Sequence, residues 1–274
     1  MNVAEKGYFI HEESENSGIK NAKEFFADIA ERILEYNDAF DLEQHKTAGE
    51  YGRCLCCMDE RVGTGLHAAG SGILLPEEDF FKLCKEAGID SLSDHVGCGA
   101  VAIFAGSEAG IKFARERGID INDTDLIGKT WSMEMAEKLT EKLKRKIDYT
   151  HLEPKEHDHS SARVCYYDKT GRFNNTNGLP KGFVVGRKYM SKDASLSEVG
   201  VAKNIMWGDH GVGPDFFTKE NPFLLVAIGE SSKEVEKLKK ELASLALGET
   251  VLVTGFVAPK TERKEKRRPL AKVS

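Results

Sequence analysis

The sequence YGRCLCCMDERVG, residues 51–63, places three cysteines within four positions. Its segment RCLCCMD is apolar but too short for a helix, so it predicts a buried β-strand. Further along the chain, LHAAGSGILL (66–75) predicts a second buried strand that ends at Pro76, and IDSLSDH (89–95) predicts a third. Between these two, PEEDFFKLCKEAG (76–88) begins with Pro and acids and ends with Gly88, which is typical of a helix. This order predicts a parallel sheet with right-handed crossovers.

The same alternation continues along the chain. Apolar residues at helical spacing predict amphipathic helices at 21–37 and 132–147. Within 161–173 (SARVCYYDKTGRF) a strand is predicted to run into a turn at 168–171. Further strands are predicted at 221–229 (NPFLLVAIG) and 249–258 (ETVLVTGFVA), with a helix at 232–248 before the last one. We therefore expect an α/β fold with a central, mainly parallel β-sheet flanked by helices and an enlarged C-terminal α/β region.

The composition excludes several classes of protein. The 274 residues carry a formal net charge of -6, with 40% hydrophobic and 31% charged residues, so a general nucleic-acid binder is not expected. There is no membrane-length apolar run, and the first residues lack the pattern of a signal peptide, so we expect a cytoplasmic protein without membrane contact. In a reducing compartment the six cysteines point to metal binding or burial before disulfides.

Two short motifs combine into a candidate metal site. Cys57-x-Asp59-x-Arg61 is followed, 38 positions after its cysteine, by His95-x-x-Cys98. If the two motifs lie at the carboxyl ends of neighbouring parallel strands, two thiolates and an imidazole meet at one edge of the sheet. Two Cys and one His leave the fourth tetrahedral position open, which distinguishes a catalytic zinc site from a closed structural one.

The acid and the base of the first motif suit a role beside such a metal. In a strand, positions 57, 59 and 61 share one face, so Asp59 and Arg61 are expected next to the metal bound by Cys57. An Arg held against a carboxylate keeps it ionised and oriented, so that it can accept a proton from a metal-bound oxygen. Whether Asp59 instead occupies the fourth metal position at rest stays open.

These motifs resemble those of the β-class carbonic anhydrases. CMDERV (57–62) and HVGCGA (95–100) match the family's Cys-x-Asp-x-Arg and His-x-x-Cys-Gly motifs. HAAGSGIL (67–74) is similar to its Asn-Ala-Gly-Gly stretch, and VCYYDKTGRF (164–173) to its strand reading Tyr-Asp-x-x-Thr-Gly. The resemblance covers residues 22–175. The chain departs from the family in its shorter interval between Cys57 and His95 and in the long region that follows the last motif.

The resemblance implies a function and a site. Cys57, His95 and Cys98 would bind Zn²⁺, and Asp59 with Arg61 would form the catalytic dyad of an enzyme that converts carbon dioxide and water to bicarbonate. The metal-bound water would have a pKa of about 7, as in known carbonic anhydrases. A homodimer or a larger homo-oligomer is implied as well. We expect residues 1–259 to form one metal-binding domain, with its family-like core at 22–175 and an extension at 176–259, followed by a basic, disordered tail at 260–274.

Two alternatives remain open at this point. The same site would serve a hydrolase of carbonyl sulfide or carbon disulfide, and a non-catalytic zinc-binding or assembly module would need only the metal ligands. Among the other candidate residues, His67 is interpreted as a core or pocket-rim residue. Two polar segments, EHDHSS (156–161) and WGDHGVGPD (207–215), are weaker candidates for a second metal site and for a proton shuttle at His210. The remaining cysteines are expected to be small buried residues: Cys54, Cys56, Cys84 and Cys165.

Overall fold

The computed structural model describes residues 8–10, 53–58, 65–152, 164–171, 182–207, 217–218, 222–245 and 248–257. Outside these ranges lie Asp59, Arg61, the predicted helix at 21–37, the segment 156–161, residues 208–215 with His210, and the predicted tail 260–274. The strands are β1 (Tyr8–Ile10), β2 (Cys54–Cys56), β3 (Leu66–His67), β4 (Ser91–His95), β5 (Asp148–Leu152), β6 (Val164–Asp168), β7 (Phe183–Val185), β8 (Phe223–Gly229) and β9 (Val251–Val257). The helices are α1 (Glu77–Glu86), α2 (Gly99–Ala105), α3 (Glu108–Arg117), α4 (Thr124–Leu143), α5 (Lys192–Trp207) and α6 (Ser232–Ala243), with a 3₁₀ turn at Ala69–Gly72.

The strands form two mainly parallel sheets. One has the order β3-β2-β4-β5 and is parallel throughout, and the other has the order β1-β9-β8-β6-β7. In the second sheet only β1, at its edge, runs antiparallel to its neighbour. The predicted mainly parallel α/β fold is therefore confirmed, although the described strands divide between two sheets.

Helix α1 and strand β4 form where the sequence predicted them. The helix has three acids in its first turn and a basic residue in its last, which complements the helix dipole. Phe80, Leu83 and Cys84 share the buried face at helical spacing. Gly88 follows the helix with a φ of 72°, and the chain then enters β4 beside β2. This crossover places the ends of β2 and β4 at the same edge of the sheet.

The second predicted strand is much shorter than expected. Only Leu66–His67 pairs with β2, and the chain then enters the 3₁₀ turn at Ala69–Gly72. Gly70, Ser71 and Gly72 all have positive φ values, which a strand does not allow. Strand β2 ends at Cys56, and Cys57 lies one residue beyond the strand.

Helix α4 is longer at its start than the predicted helix and ends earlier. The side chain of Asp123 caps it by accepting from the Leu126 N–H at 3.0 Å, and Lys144 ends it in the left-handed conformation. A Cβ on Gly128 would lie 2.9 Å from Val101 Cγ2, so this glycine permits the close approach of α2. Helix α4 thus packs on β4 and supports the helix that follows His95.

The two sheets share one hydrophobic core. A single cluster of buried residues includes Leu55 and Leu92 from the first sheet and Leu224 and Val226 from the second. At the junction between β3 and β7, the Val184 N–H donates to His67 Nδ1 at 3.1 Å. Within the described residues, no helix is both long and apolar enough to cross a lipid bilayer.

Candidate metal centre

The candidate site lies at the carboxyl ends of β2 and β4. These neighbours are parallel, with Cys54 opposite Ser91 and Cys56 opposite Ser93. Cys57 directly follows the first strand and His95 is the last residue of the second. Cys98 comes three positions later, immediately before α2. This is the edge at which open parallel sheets bind their ligands.

The structure brings the three predicted ligand residues together. One ligand atom from each of Cys57, His95 and Cys98 lies within 4.8 Å of the other two. The two sulfur atoms are 3.4 Å apart, and both cysteines are free thiols. The three residues are 3%, 7% and 5% exposed, so a bound cation would be held away from bulk solvent.

Backbone groups orient the ligand atoms. His95 Nδ1 lies 2.9 Å from the Val96 carbonyl oxygen, which fixes the proton on Nδ1 and gives Nε2 the lone pair. Gly97, with a φ of 74°, forms the turn that leads from His95 to Cys98, and its N–H donates to Asp125 Oδ1 at 2.8 Å. The Gly70 N–H donates to Cys57 Sγ at 3.3 Å.

The electrostatics favour an ionised thiol at this site. The hydrogen bond from the Cys57 thiol holds the pKa of Cys98 well below its usual range. Burial opposes this shift, but His95 and the backbone N–H of Val101 add to it. A thiolate is the form of cysteine that binds metal ions, so the site is prepared for a cation.

The donor set fits zinc or a similar divalent ion. Two thiolates and one imidazole are borderline-soft ligands, and three protein ligands leave one coordination position for water or substrate. Within the described part of the chain, this is the one group of three or more His, Cys, Asp or Glu side chains close enough to hold a metal. Asp59 and Arg61, the predicted catalytic dyad, lie outside the described residues, and their roles stay predictions.

The other cysteines occupy different surroundings. Cys56 Sγ donates to Cys54 Sγ at 3.3 Å, so these two thiols pair with each other while Cys57 contacts Cys98. Cys54 is only partly buried, whereas Cys84 and Cys165 lie in the core, as expected. Burial raises the pKa of Cys84 to about 12, so it stays protonated at neutral pH.

The structure adds two features near the site that the sequence did not predict. The buried carboxylate of Glu198, on α5, accepts the Ala69 N–H at 2.6 Å, in the turn that contacts Cys57. A distance of 129 positions separates these residues, and no local pattern signals the contact. Asp94 points to the sheet face opposite His95 and accepts from Tyr149 and His151 at 2.9 and 3.0 Å, joining β5 to β4.

The family resemblance receives no independent support from comparison with known proteins. Searches against protein-family models, curated proteins and solved structures found no match for this chain. The functional argument therefore depends on the site itself.

Proposed function

We propose that this protein catalyses the reversible hydration of carbon dioxide to bicarbonate with a bound zinc ion. One observation carries the proposal: a buried cluster of two thiols and one imidazole at the carboxyl edge of two parallel strands. The cluster consists of the residues that the resemblance to β-class carbonic anhydrases assigns to the metal.

Five residues of the chain would have separate roles at this site. Cys57, His95 and Cys98 would hold the ion. When bound, zinc would supply a water of lowered pKa, and hence a nucleophile at neutral pH. Asp59 would accept a hydrogen bond from the attacking oxygen and orient it toward carbon dioxide, while Arg61 would keep the Asp59 carboxylate ionised.

The decisive experiment removes the proposed acceptor and leaves the ligands intact. In Asp59→Asn, zinc content and fold should be retained while the hydration rate falls by about 10² or more, because a group that positions the nucleophile is lost. Stopped-flow measurement of hydration near pH 8, with zinc measured on the same samples, gives the result. Glu60→Gln is the matched control, since it removes the same charge one residue away and should keep the rate.

Two outcomes would contradict this proposal. A wild-type protein with full zinc and no hydration would refute the carbonic anhydrase function. An Asp59→Asn variant as active as the wild type would keep the metal chemistry and refute the role of Asp59.

The rival functions use the same ligands and are separated by substrate. A protein inactive toward carbon dioxide but active toward carbonyl sulfide or carbon disulfide would be a hydrolase, and one that binds zinc but converts none of the three would be a binding or assembly module. We further propose a homodimer or larger homo-oligomer as the active unit, and light scattering that shows a monomer across micromolar concentrations would refute it.

A further inference from the structure

The Ala69–Gly72 turn lies directly against the candidate metal centre. Its Gly70 N–H donates to Cys57 Sγ at 3.3 Å, and a Cβ on Gly70 would lie 3.2 Å from the Cβ of Ala100 on α2. Gly70, Ser71 and Gly72 have φ values of 54°, 56° and 99°, and Ser71 is not a glycine. Such a conformation persists only where surrounding contacts hold it.

Two buried side chains hold this turn in place. The Ser71 hydroxyl donates to the Ser93 carbonyl oxygen, which ties the turn to β4. Glu198 Oε2 accepts the Ala69 N–H at 2.6 Å, which ties the turn to α5. The turn is therefore fixed both by its own sheet and by α5, a helix of the C-terminal region.

Glu198 is an unusual residue at this position. It is 2% exposed, and burying a carboxyl group is unfavourable unless hydrogen bonds compensate it. Burial raises the pKa of Glu198 to about 7, against the opposing effect of the Ala69 N–H. An apolar side chain would fill the same space without this penalty, but it would leave the Ala69 N–H without its acceptor. Nearby on α5, Val201 packs against the cluster that contains Cys57, Ala69 and Cys98.

We propose that Glu198 is a positioning residue of the metal centre. By accepting the Ala69 N–H, it fixes the turn so that the neighbouring Gly70 N–H is presented to the Cys57 sulfur. The C-terminal α/β region thereby takes part in shaping the site, although it contributes none of the three ligands. This inference rests on the metal binding assumed in the proposed function, but it does not require carbon dioxide as the substrate.

The consequence is a measurable effect on the thiolate ligand. A hydrogen bond to a metal-bound sulfur fixes the orientation of the ligand and withdraws charge from it, and losing such support typically weakens metal binding by about 10- to 100-fold. The same change alters the energy of the sulfur-to-metal charge-transfer absorption, which can be read with Co²⁺ in place of zinc.

The test compares three variants of Glu198 in the full chain. Glu198→Met keeps the length but removes the acceptor, and Glu198→Asp keeps the acid but is too short to reach the Ala69 N–H. Both should bind zinc about 10- to 100-fold more weakly in competition with a chromogenic chelator, and both should shift the Co²⁺ charge-transfer band. Glu198→Gln keeps an acceptor oxygen and should behave like the wild type.

Ser195→Ala is the matched control for a merely structural effect. Ser195 is fully buried on the same helix and bonds to the Ser191 carbonyl oxygen at 2.7 Å and to Tyr167, away from the turn. Its loss should lower stability and leave zinc affinity and the Co²⁺ spectrum unchanged. The proposal is overturned if Glu198→Met and Glu198→Asp match the wild type in both, or if Ser195→Ala changes them equally. If Glu198→Met does not fold, Glu198→Asp decides alone.

The result of the Glu198 comparison does not depend on whether the protein hydrates carbon dioxide. A wild-type protein that shows the sulfur-to-cobalt band but does not hydrate carbon dioxide refutes the proposed function and leaves the Glu198 comparison intact. A wild-type protein that binds neither zinc nor cobalt overturns both.

Discussion

At the scale of single residues, the cysteines show how position changes the chemistry of one side chain. Cys98 has a lowered pKa beside Cys57 and His95, whereas burial raises the pKa of Cys84 to about 12 and that of Cys165 further. The sequence distinguished the candidate ligands from the core cysteines. The motifs His95-x-x-Cys98 and Cys57-x-Asp59 place thiols where strands were predicted to end. The sequence also predicted a buried Cys54, which was wrong, because the partial exposure of this residue depends on the tertiary structure.

This difference predicts which cysteines determine metal content. Cys57→Ser and Cys98→Ser should each reduce zinc from about one ion per chain to a trace, because each removes one of the three proposed protein ligands. Cys84→Ala and Cys165→Ala should lower stability by leaving a small cavity but should keep the zinc. Elemental analysis after dialysis measures the result, and full zinc in Cys57→Ser would show that the ligand assignment is wrong.

The contacts that hold the Ala69–Gly72 turn beside the site could not be predicted from the sequence. The sequence predicts a strand where Gly70 and Gly72 form a turn, and the contact from Glu198 joins residues far apart in the chain. A single buried acid on a helix carries no periodic signal of its own. Only the packing of α5 against the Ala69–Gly72 turn reveals what this carboxyl group binds.

At the scale of elements, the sequence predicted the helices that have one polar face and the strands that are strongly apolar. Helices α1 and α6, and strands β4, β6, β8 and β9, lie in the segments that predicted them. Helix α5 was not predicted, because its buried side includes the polar residues Ser195 and Glu198 and because it contains Gly200, a residue that is unfavourable inside a helix. The short α2 was missed as well, since it follows the motif of the metal site without an amphipathic pattern of its own.

Two helix glycines give opposite predictions for the substitution by alanine. In α3, a Cβ on Gly110 would overlap the Phe104 carbonyl group, so Gly110→Ala should push α3 away from α2. We expect a loss of about 2 kcal/mol or more in the free energy of unfolding, typical of overpacking. In α5, no neighbouring atom of the described residues outside the local helix backbone lies within 4 Å of a Cβ on Gly200, so Gly200→Ala should stabilise by up to about 1 kcal/mol.

Urea unfolding of both variants beside the wild type measures these differences. Since α2 begins directly after Cys98, Gly110→Ala should also weaken zinc binding, whereas Gly200→Ala should not. Equal stabilities for the two variants would show that the contact between α2 and α3 is looser than described.

At the scale of the whole molecule, two sheets meet around one core. The sequence predicted the alternation of strands and helices and the parallel direction, but it gave no means of assigning each strand to a sheet. That assignment depends on contacts such as His67 with Val184, at the junction of β3 and β7. Because the core is common to both sheets, a change in one is expected to affect the stability of the whole chain.

The two buried acids of the C-terminal region predict opposite effects of pH on stability. Burial raises the pKa of Glu198 from its usual 4.5 to about 7. The folded state therefore holds this proton more tightly than the unfolded state. The contribution of this proton to the free energy of unfolding is fully present below pH 4.5 and is lost as the pH rises to 7. The loss is about 3 kcal/mol, from about 1.4 kcal/mol for each pKa unit. Glu241 behaves in the opposite way: burial would raise its pKa, but hydrogen bonds from Arg187 and Tyr167 outweigh burial and lower it.

Replacing each acid by its neutral amide should expose this contrast. Relative to the wild type, Glu198→Gln should gain stability as the pH rises from 4.5 to 7, because it no longer has a proton to lose. Glu241→Gln should be less stable than the wild type at neutral pH, and this deficit should shrink as the pH falls through the range in which Glu241 takes up its proton. Denaturant unfolding at saturating zinc, repeated across this pH range, gives the difference in stability between each variant and the wild type. Effects of pH that are common to the wild type and both variants cancel in these differences. A constant difference between Glu198→Gln and the wild type would mean that Glu198 titrates normally in the folded chain, and hence that α5 does not bury its carboxyl group against the Ala69–Gly72 turn.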